Sequence, residues 1–142
     1  MSDELASRLG QVPLFAGMPK RALKRLVEEA RTVDHPPGRE VAAQGLGALA
    51  FHYLLAGSAH VDVSGSPRAA LGPGEYFGEI SLIDGKPRSA NVRAGDEGMQ
   101  TLAISQMQFK ALLEKYPEMM HQLLINLCDR LRRVESAPAA VE

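Results

Sequence analysis

The chain has 142 residues, enough for one domain with a substantial core, and its formal net charge of −1 gives no electrostatic case for binding nucleic acid or a membrane surface. Its apolar runs are too short to cross a bilayer, and its polar, acidic N-terminus lacks the features of a signal peptide. One cysteine cannot form an internal disulfide. These features predict a cytoplasmic protein without a nucleic-acid or membrane partner.

The residue pattern predicts one domain, 1–136, in three regions, with a flexible tail at 137–142. Residues 1–30 show helical spacing, with Pro19 in the first turn of a second helix. From 31 to 105, short β-prone runs alternate with Gly- and Pro-rich turns, as in VDVSGSPRAAL, which predicts two strands joined by a tight turn. The strand candidates are Val41 and residues 51–55, 60–63 and 99–104. Such spacing predicts a mainly β fold: a sandwich, a jelly roll or a small barrel.

Residues 106–135 are predicted to form two closing helices, with Ser105 as N-cap of the first and Pro117 at the start of the second. The second helix carries a broad apolar stripe. Five members of the stripe are spaced four, three, four and three apart, like a short coiled-coil seam: Met120, Leu124, Leu127, Leu131 and Val134. Packing of this stripe onto the β region is the preferred interpretation, and a homodimer through the helix is the alternative.

The segment GEYFGEISLIDGKPRSANV, residues 74–92, combines groups suited to hold a ribose-phosphate. A helical turn beginning near Glu79 leaves its first backbone N–H groups for a phosphate, and Gly78 permits a close approach. Arg88 can donate to phosphate oxygens, Ser89 adds a hydroxyl, and Glu79 is suited to accept from a sugar hydroxyl. The structural alternative is a surface ion pair between Glu79 and Arg88, which also accounts for both charges.

The same segment resembles the phosphate-binding cassette of cyclic-nucleotide-binding domains, which occur in the catabolite activator protein, in regulatory subunits of cAMP-dependent protein kinase and in cyclic-nucleotide-gated channels. The pattern of that family matches here at Gly78, Glu79, Ile80, Ser81, Leu82, Arg88, Ser89 and Ala90. Segments on both sides of the cassette also resemble the family, so that nearly the whole chain is covered. The resemblance implies an eight-stranded, jelly-roll-like β-roll with an N-terminal helical segment and C-terminal helices.

Carried over to this chain, the resemblance implies a role for each residue of the cassette. The backbone N–H groups of Gly78–Ser81 would hold the cyclic phosphate, and Arg88 would pair with it. Glu79 would accept from the ribose 2′-hydroxyl, while Ser89 and Ala90 complete the phosphate shell. Family members that prefer cGMP often carry Thr where this chain has Ser89, so the resemblance favours cAMP.

Base recognition is the less defined part of the resemblance. The base would meet the interior of the roll near Val61 and the last helix, where Arg130 borders the apolar stripe. The chain departs from the family in two places. Residues 46–50 are apolar where acidic residues are usual, and Val134 and Glu135 stand about where the activator protein has hydroxyl residues that meet the base.

Other candidate features have ordinary explanations. Four histidines occupy separate segments without a His-x-His pair, so no metal site is predicted: His35, His52, His60 and His121. Cys128 borders the apolar stripe and is predicted to be buried filler rather than a reactive thiol. Four cations give the second helix a basic face, interpreted as solvated rather than as a nucleic-acid patch: Lys20, Arg21, Lys24 and Arg25.

These observations predict a non-catalytic receptor domain that takes cAMP or cGMP as its ligand and has no cofactor. No arrangement of nucleophile and base is visible, so no enzymatic activity is expected. Because the sequence stops after the closing helices, we expect a stand-alone domain that signals through a downstream protein or a second copy of itself. The alternative is a degenerate β-roll that serves as an interaction or dimerisation module without nucleotide. The presence of both Glu79 and Arg88 argues against that alternative.

Overall fold

The computed structural model describes residues 2–42, 50–86 and 90–136. Three predictions therefore fall wholly or partly outside the described residues. They are the apolar run at 46–50, of which only Ala50 is described, the cassette positions 87–89, and the tail at 137–142.

Helices lie towards both ends of the chain, and six strands occupy the middle of the described part. The helical elements are α1 Ser2–Gly10, a 3₁₀ turn Pro13–Phe15, α2 Lys20–Glu29, α3 Glu79–Asp84, α4 Gln106–Lys115 and α5 Pro117–Ser136. The strands are β1 Arg31–His35, β2 Glu40–Ala42, β3 Ala50–Val63, β4 Ser66–Leu71, β5 Tyr76–Phe77 and β6 Asn91–Ser105. This order confirms the predicted fold class, a mainly β domain with helices at both ends.

The strands form one antiparallel sheet in the order β1-β6-β3-β4, with β2 paired to β6 and β5 paired to β3. The long central ladder between β3 and β6 runs from Ala50 opposite Ser105 to Asp62 opposite Asn91. The last two residues of the cassette, Asn91 and Val92, belong to β6, and at its start the N–H of Gly74 donates to the carbonyl of Leu54 on β3. Both ends of the cassette are therefore held in the same sheet.

The sheet has six strands in the described residues, where the resemblance implied eight. β3 and β6 are 14 and 15 residues long and remain continuous through two shifts of register. The bend is made by glycines: Gly57 has φ +82° and Gly98 has φ +81°. A Cβ atom on Gly57 would lie 2.3 Å from the carbonyl oxygen of Gly98, so the two backbones meet where only glycine fits. Both strands continue through this point without ending.

Local sequence signals set the ends of several elements. Ser64 and Gly65 form the predicted turn between β3 and β4, and Asp62 accepts from the N–H of Gly65 at 3.0 Å. The Ser105 hydroxyl accepts from the N–H of Gln108 at 3.1 Å and caps α4, as predicted. α5 begins at Pro117, as predicted. Pro19 lies at the N-cap position of α2, one residue before the first turn in which it was expected.

Within the described part of the chain, two clusters of buried apolar side chains form the core. The larger one joins the helices to one half of the sheet and includes Leu9, Leu14, Phe15, Leu26, Phe51, Tyr53, Leu102, Ile104, Phe109, Met119 and Leu123. The smaller one fills the other half of the roll and consists of Leu54, Ala59, Phe77, Val92, Ala94 and Met99, with Val61 packed beside it. Neighbouring residues of β3 thus belong to different clusters, since successive side chains of a strand point to opposite faces.

The preferred interpretation of α5 is wrong for much of its apolar stripe. Met119 and Leu123 are buried in the larger cluster, but Met120, Leu124 and Leu131 are 47%, 56% and 59% exposed. Helical spacing predicts which residues share one face of α5, but it does not predict how much of that face the rest of the fold covers. Cys128 is also exposed, which contradicts its prediction as buried filler, because it lies beyond the strip of α5 that contacts the core. None of the helices formed by the described residues is long and apolar enough to span a membrane.

Candidate functional site

The predicted helical turn of the cassette is present as α3, a six-residue helix that begins at Glu79. Gly78 precedes it with φ +97°, a left-handed conformation that L side chains rarely adopt. Gly85 ends it with φ +72°, and its N–H donates to the carbonyl of Ser81. The two glycines therefore fix where this short helix starts and stops.

The Glu79 carboxylate is buried, with only 5% of its side chain exposed, at the first turn of α3. Nη1 of Arg130, on α5, donates to its Oε2 at 2.9 Å. The structural alternative of a surface ion pair does not fit this carboxylate, because Glu79 is not at the surface and its partner among the described residues is Arg130. Arg88, the other member of that pair, lies outside the described residues.

Burial raises the pKa of the Glu79 carboxyl above its ordinary value of 4.5. The charge and the hydrogen bond of Arg130 act in the opposite direction, as do the backbone N–H groups of Glu79 and Ile80. The site thus holds a carboxylate that is partly desolvated and is surrounded by donors. Such a group is suited to accept a hydrogen bond from a hydroxyl that enters the site.

A second contact joins α5 to the segment just before the cassette helix. Nδ2 of Asn126 donates to the hydroxyl of Tyr76, on β5. Burial raises the pKa of the Tyr76 hydroxyl, and the ring of Tyr76 packs on Phe51 with 5.2 Å between centroids. Asn126 precedes Arg130 by four residues, so the two side chains lie on the same face of α5. Sequence reasoning missed both Tyr76 and Asn126, although this spacing from Arg130 was a usable signal for Asn126.

The structure brings together only part of the predicted site. Gly78 is the N-cap of α3, and Glu79, Ile80 and the buried Ser81 form its first turn. Ala90 lies immediately before β6. Arg88 and Ser89 lie outside the described residues. Arg130 lies beside Glu79, and its predicted position over the ligand remains a prediction.

Val61 lies on β3 and packs beside the smaller core cluster, which also contains Phe77. It lines a cavity of about 580 Å³ together with Asp62, Asn91 and Arg93. Neither Glu79 nor Arg130 is among the described residues that line this cavity. The described residues therefore do not join Val61 and Arg130 in one cavity, and the role of Val61 towards the base remains a prediction.

Two of the histidines belong to a hydrogen-bonded group that the sequence did not suggest. Nε2 of His35 and Nδ1 of His52 lie 3.0 and 3.1 Å from the buried hydroxyl of Thr101. The ring of His52 also stacks on Phe77, next to Gly78. The residues described include no group of three or more His, Cys, Asp or Glu side chains that could hold a metal ion.

Comparison with known proteins identifies the family. The sequence profile of the cyclic nucleotide-binding domain matches residues 32–116. A CRP-like cAMP-activated global transcriptional regulator of Mycobacterium tuberculosis is 27% identical over 139 residues, which cover 94% of this chain and 60% of the relative. A cAMP-dependent protein kinase regulatory subunit of Emericella nidulans is 30% identical over 116 residues, which cover 80% of this chain and 28% of the relative.

The crystal structure of the Thermus thermophilus catabolite activator protein superimposes with a TM-score of 0.74 at 31% identity, covering 87% of this chain and 60% of that one. The chain thus spans at most about 60% of the length of these relatives. Because one relative is named as a transcriptional regulator, the expectation that nucleic acid plays no part is not supported. The profile match and the shared fold agree with the cassette geometry at α3, and the chain belongs to the cyclic nucleotide-binding domain family.

Proposed function

We propose that this chain binds a cyclic nucleotide, cAMP in preference to cGMP, and acts as a sensor domain without catalytic activity. The observation that carries the proposal is the buried Glu79 carboxylate at the start of α3, inside a segment that matches the family's cassette. Ser89 and the names of two relatives, one cAMP-activated and one cAMP-dependent, support the choice of cAMP.

In this proposal the phosphate lies on the backbone N–H groups of Gly78–Ser81, with Arg88, Ser89 and Ala90 completing its shell. Glu79 accepts from the ribose 2′-hydroxyl. A carboxylate can accept about four hydrogen bonds, so Glu79 can receive the ligand without giving up Arg130. Retaining that ion pair is favourable, since its loss would leave a buried charge unpaired.

We infer that α5 is a lid over the nucleotide site. Two contacts support this view: Arg130 with Glu79, and Asn126 with Tyr76. A ligand can tighten the lid only by the additional contacts it makes in the closed state. Output would then depend on how firmly α5 is held, read by a downstream protein or by a second copy of this chain.

Calorimetric titration of protein stripped of carried-over ligand tests the binding. We expect saturable heat with cAMP at about one ligand per chain, and a weaker response with cGMP. A higher affinity for cGMP would overturn the preference but not the binding. An absence of heat with either nucleotide, from protein that unfolds cooperatively, would favour the alternative of a degenerate roll.

A second function, homodimerisation through α5, is favoured by the exposure of its seam. Met120, Leu124 and Leu131 are exposed at heptad spacing, and Leu127 between them is half-buried. Two copies of such a helix can pack the same seam against each other, with knobs of one entering the holes of the other. The 20-residue helix is about 30 Å long, which is enough for two heptads.

Sedimentation velocity over a range of concentrations tests the dimer. We expect Leu124→Gln to shift the equilibrium towards the monomer. Met107→Gln is the matched control, because Met107 is 82% exposed on α4 and lies off the seam. A monomer at all concentrations, or an equal effect of the two substitutions, would exclude a dimer built on this seam.

A further inference from the structure

A groove between α2 and α4 belongs to no part of the nucleotide site. Its volume is about 590 Å³, and its lining includes no cassette residue among those described. The floor is apolar: Met18 and Leu26 are buried, and Ala22 and Leu112 are half-buried. Both walls are ten-residue helices, about 15 Å long, so the groove is open along most of two helices.

Three exposed cations, Arg21, Arg25 and Lys115, line the groove. No carboxylate of the described residues lies within salt-bridge distance of any of them. Lys24, on the neighbouring face of α2, differs in this respect, because its Nζ lies 2.8 Å from a carboxylate oxygen of Asp3.

One carboxylate, Glu29, also lines the groove, and its Oε1 accepts from Nε2 of Gln108 at 3.4 Å. The described lining therefore carries a charge of about +2 in a chain whose formal net charge is −1. This charge is local to the groove, and it surrounds an apolar floor.

We propose that this groove docks an acidic amphipathic helix of a partner protein. Apolar side chains of that helix would enter the floor over Leu26 and Leu112, and its carboxylates would face Arg21, Arg25 and Lys115. Amphipathic helices are recognised in this way, with apolar anchors at i, i+3, i+4 and i+7. Charge complementarity at the rim would steer the encounter and set the orientation.

The shape and composition of the groove favour a peptide over other anionic partners. A bilayer surface is met by apolar side chains that protrude into it, whereas these are recessed. Nucleic-acid binding rests on many phosphate contacts without an apolar floor. The groove also ends at Tyr116, the residue before α5, so a docked helix would sit beside the junction from which α5 departs.

Fluorescence anisotropy of the full chain with a labelled model peptide tests the proposal. The probe is a helix of about twelve residues, long enough to span the groove, with Leu at the anchor positions and Glu elsewhere. We expect saturable binding that is lost when every Glu of the probe is replaced by Lys. The double substitution Arg21→Ser, Arg25→Ser should weaken binding by about tenfold or more.

The control is Lys20→Ser, Lys24→Ser, which removes the same charge from the neighbouring face of the same helix and should change the affinity by less than about twofold. Ala111→Trp should abolish binding by filling the groove while leaving every charge in place. Equal losses in the two double variants, or full binding by the Trp variant, would overturn the proposal. It would also be overturned if an oligonucleotide or phosphatidylserine vesicles, rather than the peptide, bound in a manner dependent on Arg21 and Arg25. The test uses no nucleotide, so it stands apart from the proposed cAMP binding.

Discussion

Glu79 is a single carboxylate that serves two contacts in the proposed complex, one with Arg130 and one with the ribose. We expect Glu79→Gln to weaken cAMP binding by about 1–2 kcal/mol, roughly 5- to 30-fold, because glutamine keeps an acceptor but loses its charge. Titration with 2′-deoxy-cAMP completes a double cycle, and the variant should lose little more with that ligand. Fully additive losses would mean that Glu79 does not meet the 2′-hydroxyl.

Arg88 is expected to have the larger effect on binding. Arg88→Ala should cost about 2–5 kcal/mol of cAMP affinity, because it leaves a desolvated phosphate charge without its partner. This corresponds to roughly 30-fold to several thousandfold in Kd, measured by the same calorimetry. A loss below about threefold would show that Arg88 does not pair with the phosphate.

The raised pKa of Glu79 predicts a pH dependence of stability. The folded chain retains the proton of Glu79 at pH values where the unfolded chain has lost it. This difference in pKa stabilises the fold fully below pH 4.5, and the stabilisation declines as the pH rises through the raised pKa. Urea unfolding at a series of pH values should show wild type losing stability relative to Glu79→Gln as the pH rises from 4.5. Arg130→Ala should steepen the trend, since Arg130 opposes the raised pKa. Parallel curves for wild type and Glu79→Gln would contradict this.

α5 is the element on which a switch would depend, because it is held to the roll at Glu79 and Tyr76 while much of its length is exposed. We expect cAMP to increase hydrogen-exchange protection across residues 118–134. Arg130→Ala should reduce protection there in the absence of ligand, because it removes an ion pair worth about 1–2 kcal/mol at this half-exposed position. Arg132→Ala, at an exposed site on the same helix, is the control. Equal protection with and without cAMP would mean a preformed lid and no switch.

For the molecule as a whole, the domain needs more than the part that the family profile covers. The profile matches 32–116, but Leu9, Phe15, Leu26 and Met119 are buried core residues outside that range. Each such side chain contributes about 1.5–3 kcal/mol by burial, and together they approach the whole stability of a typical domain. We expect a 32–116 fragment to lack a cooperative thermal transition by circular dichroism, in contrast to a 2–136 fragment. Similar melting of both fragments would show that the helices are accessory.

The sequence best predicts structural features that depend on residues close together in the chain, such as the starts of helices. Gly78, Ser105 and Pro117 act through their own backbone or cap, and the elements they start are where they were predicted. β1 was not among the predicted strands. Four of its five residues are polar, so it shows no apolar alternation, and three of the five are exposed. The exposure of Leu124 and Cys128 depends on which surface of the fold meets α5, and periodicity carries no information on that.

Contacts between residues that are far apart in the sequence are harder to predict. The edge of the apolar stripe predicts that Arg130 lies near the ligand, but it does not predict the ion pair with Glu79, which lies 51 residues away in sequence. The bridge from His35 and His52 to Thr101 depends on the register of three strands, which no short segment specifies. The helix of the cassette is therefore predictable as a local unit, whereas the contacts between α5 and this helix required the whole fold.

The meeting of Gly57 and Gly98 at the bend of the long strands restricts how this sequence can drift. Gly57→Ala would combine a left-handed backbone with a clash against Gly98, at a cost of about 3 kcal/mol or more. A Cβ on Gly98 would in turn meet the carbonyl oxygen of His35 at 2.9 Å. Replacing one glycine thus makes no room for replacing the other. Any side chain at Gly57 or Gly98 is therefore costly for as long as the backbone facing it keeps its place, so the two glycines limit substitution at this point of the roll.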